Sequence, residues 1–416
     1  MSPWAKIAIR NLKKNGRRSL VTIIAIGVGF AGINVFDGFA DYMYSGCRDG
    51  FIYGQAQGHL TIFKKGFLTT GRLDPTKYLI DVETAQAVKQ ICRSHPDVLL
   101  TSEQLYISGL LSNGTVSTIM AAIGRVPSEM EAIRSHAHGL LSKVKYFQGY
   151  ALKDTETASV GLSSGLAEKL GLNINSTAIA MGPTIEGQIN ALDITVRQTF
   201  EPTEQALNDK VMLCPLAFTQ SLYDTQSVDR IGVLLNSTEK TLKVKEYLDK
   251  AFKKKGLEVD VETWYDLSPL YGKTKKMFDL IFCVLFVIVF IMVVMSVVNT
   301  MTMAVVERTQ EIGTLRALGV KRSGVVRLFA YESALLGSFG SILGLLLTIG
   351  NWVAFRIAEP TWIPPNFTKQ VPLEIHLIPA DLGVTMVFMI VLSVVAAILP
   401  ARKAAKMNIV EAIGHV

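Results

Sequence analysis

The sequence lacks the motifs that would let this chain carry out chemistry by itself. It contains no phosphate-binding loop of the form G-x-x-x-x-G-K-[ST], so a nucleotide-driven motor would have to be a separate partner. Its histidines show no metal-ligand spacing beyond His136-x-His138, and no Ser, His and Asp set suggests a hydrolase site. We therefore predict a chain that is not an enzyme, with no catalytic residue, no metal site and no bound cofactor.

Cysteine is scarce, with four in 416 residues. Cys283 falls in a long apolar run, whereas Cys47, Cys92 and Cys214 lie outside it. An odd number of thiols in an oxidising compartment permits one disulfide with one thiol left over, and three buried thiols are the alternative. The sequence leaves both open.

Apolar residues are abundant, at 49% of the chain, and they concentrate in four windows long enough to cross a bilayer. Positive charge concentrates between the windows: residues 1–19, 307–327 and 401–416 hold 14 basic and 3 acidic residues. The rest of the chain holds 28 basic and 32 acidic residues, so the pI near 9.1 does not indicate nucleic-acid binding. Because four crossings put the three basic segments on one side, the positive-inside rule places them and both termini in the cytoplasm.

The predicted fold is a membrane protein of four transmembrane helices, with a large α+β periplasmic domain inserted between helices 1 and 2. Asp37 and Asp41 are expected to close the first apolar window early. The predicted transmembrane helices are helix 1 at 20–40, helix 2 with a preceding stalk at 273–306, helix 3 at 328–355 and helix 4 at 382–400. The cytoplasmic segments are a basic amphipathic N-terminus at 1–19, a coupling loop at 307–327 and a tail at 401–416. The periplasmic segments are the large domain at 41–272 and a short loop at 356–381.

Two strand–helix–strand patterns, far apart in the chain, predict a split βαβ sheet in the periplasmic domain. Asp81 is expected to cap the first helix and Gly256 to end the second. The porter-like lobe takes in about 55–104 and 225–264, and a β-rich lobe with an Asn113-Gly114 hairpin occupies about 105–224. Residues 264–278 then predict one continuous stalk helix, or simply an interfacial start to the second membrane helix.

The stretches at 4–22, 58–67, 307–347 and 399–416 resemble FtsX/MacB/LolC-type permeases of ABC transporters, and within that family the lipoprotein-release (LolC/LolE-like) branch. The resemblance implies a MacB-like periplasmic domain and a mechanotransmission machine. In such a machine two permease subunits, identical or paralogous, clasp a cytoplasmic ATPase dimer that uses ATP and Mg. Conformational changes of the ATPase dimer would move the periplasmic domains, without a solute tunnel through the bilayer.

The most specific stretch, ERTQEIGTLRALG at 307–319, has one apolar stripe at helical spacing. The resemblance assigns ATPase coupling to Glu311, Ile312, Leu315, Arg316, Leu318 and Gly319. The three apolar side chains would fill a groove on the ATPase, and the two charges would set the register at its rim. The alternative is a helix that lies on the lipid surface. Glu332, almost the only ionisable group in the apolar windows, has either a structural role or a part in coupling.

Two aromatic stripes predict an apolar cleft that opens to the outer leaflet, with plain packing as the alternative. Its residues would be Phe30, Ile33, Phe36 and Phe39, facing Phe278, Phe282, Leu285 and Phe286. The resemblance to the lipoprotein-release branch implies that acyl chains would enter between the two helices that carry these stripes.

The predicted function is that of a permease subunit in a bacterial inner membrane, which releases lipoproteins to a periplasmic carrier. The alternatives are efflux with an adaptor and an outer-membrane channel, or FtsX-like signalling to cell-wall hydrolases.

Overall fold

The computed structural model describes residues 3–14, 16–71, 75–137, 147–202, 205–362 and 370–408. It divides into two units. The helical unit comprises Met1–Tyr44, Thr274–Thr361 and Pro372–Val416, and the inserted domain comprises Ser45–Lys273 with Trp362–Val371. Parts of the predicted N-terminus, of the loop at 356–381 and of the tail at 401–416 lie outside the described residues.

The chain begins with two helices, α1 (Pro3–Lys14) and α2 (Gly16–Asp49). Asp37 and Asp41 lie inside α2, so the helix continues past the end of the predicted apolar window. A five-residue π-helical turn, Gly50–Gly54, follows α2.

The first part of the inserted domain is the predicted split βαβ arrangement. Its elements are β1 (Leu60–Lys64), α3 (Val82–Arg93), β2 (Val98–Ser112), and, much later in the chain, β9 (Arg230–Leu235), α7 (Thr241–Lys255) and β10 (Val259–Thr263). The strands lie in the order β10-β1-β9-β2, and each neighbouring pair is antiparallel. The predicted caps are both present: Asp81 accepts a hydrogen bond from the Thr84 amide, and Gly256 ends α7 with φ +71°.

The second part adds strands to the same sheet. Its elements are β3 (Ser117–Arg125), α4 (Pro127–Ser135), β4 (Gln148–Gly149), β5 (Ser159–Ser163), α5 (Ser164–Lys169), β6 (Thr177–Pro183), β7 (Ile189–Phe200), β8 (Val211–Pro215) and α6 (Leu216–Tyr223). The predicted Asn113-Gly114 turn joins β2 to β3, with Gly114 at φ +92°. The lobe boundary expected between residues 104 and 105 falls inside β2, whose fifteen residues pair with β9 along one half and with β3 along most of their length.

The inserted domain buries its thiols. Cys92 and Cys214 lie in its apolar core and Cys47 is also buried, and no disulfide forms among the cysteines of the described residues. Of the two alternatives, the structure has the three buried thiols. Burial raises the pKa of Cys92 to about 12, so this thiol stays protonated and unreactive near neutral pH.

The chain leaves the domain through α8 (Trp264–Leu267) and α9 (Pro269–Glu307). The prediction of one continuous helix from Trp264 is wrong, because Ser268 breaks it with an extended ψ of 85°. The following Pro269 disfavours the helical conformation at Ser268, and it is itself well suited to start a helix. From Pro269 the helix continues without interruption into the apolar window.

The remaining elements are α10 (Thr309–Ala317), α11 (Arg322–Ala358), the two-residue strands β11 (Thr361–Trp362) and β12 (Val371–Pro372), and α12 (Pro379–Lys406). Within the part of the chain that the structure describes, four helices are long and apolar enough to span a membrane, namely α2, α9, α11 and α12. Glycines let them approach closely. An added Cβ on Gly340 would meet Ile26 at 2.6 Å, and one on Gly337 would meet the Ile390 backbone at 3.0 Å. These glycines serve the close packing of the helical bundle.

Candidate functional site

The short helix α10 is held between two breaks in the chain. Arg308, with φ −117° and ψ 21°, separates it from α9, and Gly319, with φ +94°, turns the chain towards α11. Thr309 secures the first break by donating its hydroxyl to the Val305 carbonyl at 3.1 Å. The α10 segment is therefore a short, separate helix that connects two membrane-length helices.

The predicted coupling residues of α10 do not share one surface. Ile312 is only 4% exposed and packs in the core of the helical unit, so the prediction that it fills a groove on a partner is wrong. Leu315 is half-buried, and Arg316 donates to the Met407 carbonyl at 2.6 Å. Leu318 is 78% exposed. The apolar stripe mainly packs α10 onto its own bundle, because an isolated nine-residue helix needs such contacts to be stable.

Another face of α10 is the exposed one. It carries Gln310, Thr314, Ala317 and Leu318, which recur at helical spacing. Glu311 lies beside this face and forms an exposed ion pair with Lys14 at 3.4 Å. The side chains of this face are short or polar, and Leu318 at its end is its one large apolar side chain.

Behind α10 lies a buried group that we call the polar triad: Asn11, Arg308 and Glu332. The Arg308 guanidinium contacts the Glu332 carboxylate at 2.8 Å, and the two side chains are 8% and 2% exposed. Asn11 donates to the same carboxylate oxygen at 2.5 Å, and its carbonyl accepts from Arg308 at 3.2 Å. Sequence reasoning singled out Glu332 but missed its partners. The available signal was a polar Asn11 beside Ala8 and Leu12 on the inward face of α1.

Four of the predicted cleft residues form what we call the aromatic cluster: Phe36, Phe39, Phe278 and Phe282. The rings of Phe36 and Phe278 are 5.9 Å apart, those of Phe36 and Phe282 6.3 Å, and those of Phe39 and Phe278 5.6 Å. Phe282 stacks in turn on Phe286, and Leu285 is half-buried nearby in α9. The two stripes therefore face each other and are in contact.

The other two predicted cleft residues lie elsewhere. Phe30 is 1% exposed and packs on α11, where a Cβ added to Gly344 would meet the Phe30 Cβ at 2.6 Å. Ile33 is buried in the core of the helical unit. Their assignment to the cleft is wrong, because Gly344 on α11 leaves room for this side of α2 to pack inside the bundle.

Within the inserted domain, the segment after α2 and the segment before α9 meet in what we call the anchor cluster. Its buried members are Ile52, Tyr53, Ala56, Met130, Ile133, Ala137, Leu234 and Trp264. Arg125 secures the incoming segment by donating to the carbonyls of Gln55 and Ala56 at 2.5 and 2.6 Å. The domain thus holds both of its connections to membrane-length helices at one place. Sequence reasoning missed this cluster.

His59 lies beside the anchor cluster and is fully buried. Its Nδ1 accepts from the Leu235 amide at 3.1 Å, and its Nε2 lies 3.1 Å from the Thr238 hydroxyl. Burial, and then the charge of Arg48, lower the pKa of His59 to about 4. The ring is therefore neutral near pH 7, with its proton on Nε2.

Comparison with known proteins matches the last helices of this chain to a family of permeases. Residues 283–409 match the family model described as FtsX-like permease C-terminal, a range that takes in most of α9 and all of α10, α11 and α12. The ABC transporter permease YtrF of Bacillus subtilis is 35% identical over 119 residues, which are 28% of this chain and 27% of YtrF. The macrolide export ATP-binding/permease protein MacB of Agrobacterium fabrum is 28% identical over 118 residues, 28% of this chain and 16% of MacB.

This chain therefore spans at most 27% of the length of these two curated relatives. Among solved structures, the periplasmic region of MacB from Actinobacillus actinomycetemcomitans aligns with a TM-score of 0.36 at 15% identity. That alignment covers 50% of this chain and 90% of the MacB region.

Proposed function

We propose that this chain, whose residues 283–409 form an FtsX-like permease domain, is the membrane subunit of an ABC transporter. It would couple ATP hydrolysis by a separate cytoplasmic ATPase to movement of the inserted domain. The observation that carries the proposal is α10, a nine-residue helix with an exposed face between two membrane-length helices. The sequence has no phosphate-binding loop, so ATP and Mg would be bound by the partner.

The exposed face of α10 is the docking surface in this proposal. Leu318 is its apolar anchor, and the smaller Thr314 and Ala317 allow close approach of the ATPase. One well-packed apolar side chain at the centre of an interface commonly contributes far more than its neighbours. Glu311 and Arg316, which both have partners within this chain, would shape the rim rather than anchor the contact.

The test is co-purification of an ABC ATPase with the tagged, detergent-solubilised chain. Leu318→Asp should remove the ATPase, because a carboxylate cannot enter an apolar contact without a desolvation cost. Ile357→Asp is the matched control: Ile357 is 80% exposed, close to the 78% of Leu318, but lies at the other end of α11. Equal ATPase recovery with both variants would overturn the assignment.

The proposed orientation places both termini and α10 in the cytoplasm and the inserted domain on the far side of a bacterial inner membrane. The basic residues of 1–19, 307–327 and 401–416 support it. Cysteine-accessibility labelling in whole cells tests it: Ile189→Cys, at a site 85% exposed on the inserted domain, should react from outside, and Arg402→Cys should not.

The buried polar side chains in the middle of the bundle support a transport route in which the cargo does not cross the membrane through a single subunit. Asn34, Ser333, Thr348 and Ser393 each donate to the carbonyl four residues earlier in their own helix. These four bonds stay within single helices, so the four side chains do not form a continuous polar route. Cargo would instead be taken up at the far face or from the outer leaflet.

Lipoprotein release is the cargo assignment that the aromatic cluster favours. Separation of α2 from α9 would open an apolar surface between Phe36, Phe278 and Phe282 that suits acyl chains, and a periplasmic carrier would receive the protein part. A photo-crosslinker at Phe36 should capture a lipidated protein, whereas one at the lipid-facing Val387 of α12, 64% exposed, should capture only lipid. Equal capture at both positions would contradict this assignment.

Export with an adaptor is the second candidate, since the similar Agrobacterium protein is named as a macrolide exporter. Recovery of an adaptor and an outer-membrane channel with the purified chain, together with no lipoprotein crosslink at Phe36, would favour it. Both candidates need a second permease copy or a paralogue to complete a two-fold ATPase assembly.

A further inference from the structure

We propose that the polar triad makes α1, α10 and α11 move together when an ATPase displaces α10. Asn11, Arg308 and Glu332 would thus be positioning residues that pass motion on, without touching nucleotide or cargo. This inference rests on the proposed function, because it assumes that a partner drives α10.

The backbone position of Arg308 ties the triad to α10. Arg308 lies between the end of α9 at Glu307 and the start of α10 at Thr309, and its carbonyl accepts from the Ile312 amide in the first turn of α10 at 2.9 Å. A shift of α10 therefore carries the Arg308 side chain with it. That side chain ends on Glu332, inside α11, and on the Asn11 carbonyl in α1.

Asn11 closes the triangle. It donates its side-chain amide to Glu332 while its own carbonyl accepts from Arg308, so each of the three residues contacts the other two. Moving α10 or α11 away would leave a guanidinium or a carboxylate without its charged partner in a nearly dry environment, and moving α1 away would break both hydrogen bonds of Asn11. Such a separation is strongly unfavourable, so the three elements have one preferred arrangement.

The other ion pairs at this end of the bundle lack that property. Lys14 and Glu311 have side chains 71% and 59% exposed, and Arg18 and Glu307 have side chains 48% and 37% exposed. Water replaces such contacts at little cost when they open. Among the ion pairs of the described residues at this end, the triad is therefore the one whose separation water does not offset.

Replacing the ion pair of the triad with apolar side chains of similar volume distinguishes a role in transmitting motion from a role in stability alone. In the double variant R308M/E332L, both charges leave together and similar volume remains, so no buried charge is left unpaired and only the Asn11 amide and carbonyl lose their partners. The single variants would each leave one buried charge unpaired and are expected to fold poorly. The matched control is R18M/E307L, which removes an exposed ion pair from the same end of the bundle.

The experiment uses the permease–ATPase complex in lipid nanodiscs, with hydrogen exchange followed with and without a non-hydrolysable ATP analogue. In the unmodified complex and in R18M/E307L, the analogue should change amide exchange in α1 and in the first turns of α11. R308M/E332L should keep the same amount of bound ATPase but lose the nucleotide-dependent change in α1.

Each other outcome has a distinct meaning. A double variant that binds ATPase and keeps the change in α1 overturns the triad inference and leaves the proposed function intact. A double variant that has lost the ATPase shows only a structural role, which also overturns the inference. If the unmodified chain recovers no ATPase, the proposed function itself fails.

Discussion

Acidification should destabilise the inserted domain through one buried side chain, His59. Its Nδ1 lone pair accepts from the Leu235 amide, so a proton added to Nδ1 would point at that N–H and break the bond. The folded domain holds the pKa near 4, against an ordinary value of 6.5. Between these two values the unfolded chain binds a proton that the folded chain does not, so stability falls as the pH falls.

The size of the effect follows from the difference of about 2.5 in pKa. At 1.36 kcal/mol per pKa unit, it amounts to about 3 kcal/mol. The loss should begin as the pH drops through 6.5 and level off below pH 4, where folded and unfolded states are both protonated. Since His59 is fully buried, solvent screening should not weaken the effect.

The assay compares the full chain in detergent with His59→Asn, in which the side-chain oxygen can replace Nδ1 as the acceptor without titrating. Chemical unfolding of the inserted domain is measured from pH 7 to pH 3.5, and the difference between the two proteins isolates His59 from the carboxylates that titrate in both. The exchange rate of the Leu235 amide gives a local readout. A difference in stability that stays constant across this range would refute the reasoning.

Two further predictions concern the stability of the inserted domain. Gly124→Ala should destabilise it by about 1–3 kcal/mol through overpacking, since the new Cβ would lie 1.9 Å from the buried Thr219 hydroxyl. Gly182→Ala is its control, with its nearest contact at 3.6 Å, and similar unfolding midpoints for both variants would contradict the packing argument. Asp81→Ala should cost about 1 kcal/mol by removing the cap on the Thr84 amide, whereas Asp81→Asn should cost little. If urea unfolding shows equal losses for the two Asp81 variants, the cap is not the cause.

Features of this protein that depend on residues close together in the sequence could be predicted from the sequence. The four membrane-length helices follow from apolar windows, and the βαβ halves follow from alternation, caps and the Asn113-Gly114 turn. Short-range signals suffice here because a cap or a turn is made by residues a few positions apart. The exposure of Leu318 and the contact between the stripes of Phe36 and Phe278 were also within reach.

Long-range contacts were decided by tertiary structure. The polar triad joins Asn11 to Glu332 across 321 positions, and nothing near either residue specifies the other. The same holds for Phe30, which turns to α11 because Gly344 leaves room for it. Such pairs depend on how helices and strands pack.

The segments apolar enough to enter a membrane, and the local patterns that become strands, helices and turns, could be predicted from residues close together in the chain. Which face of each element is covered depends on the packed structure, as at Ile312, whose place in a stripe did not reveal that its own bundle would bury it. Periodicity defines an apolar face, whereas the neighbouring elements that pack in three dimensions determine what covers it.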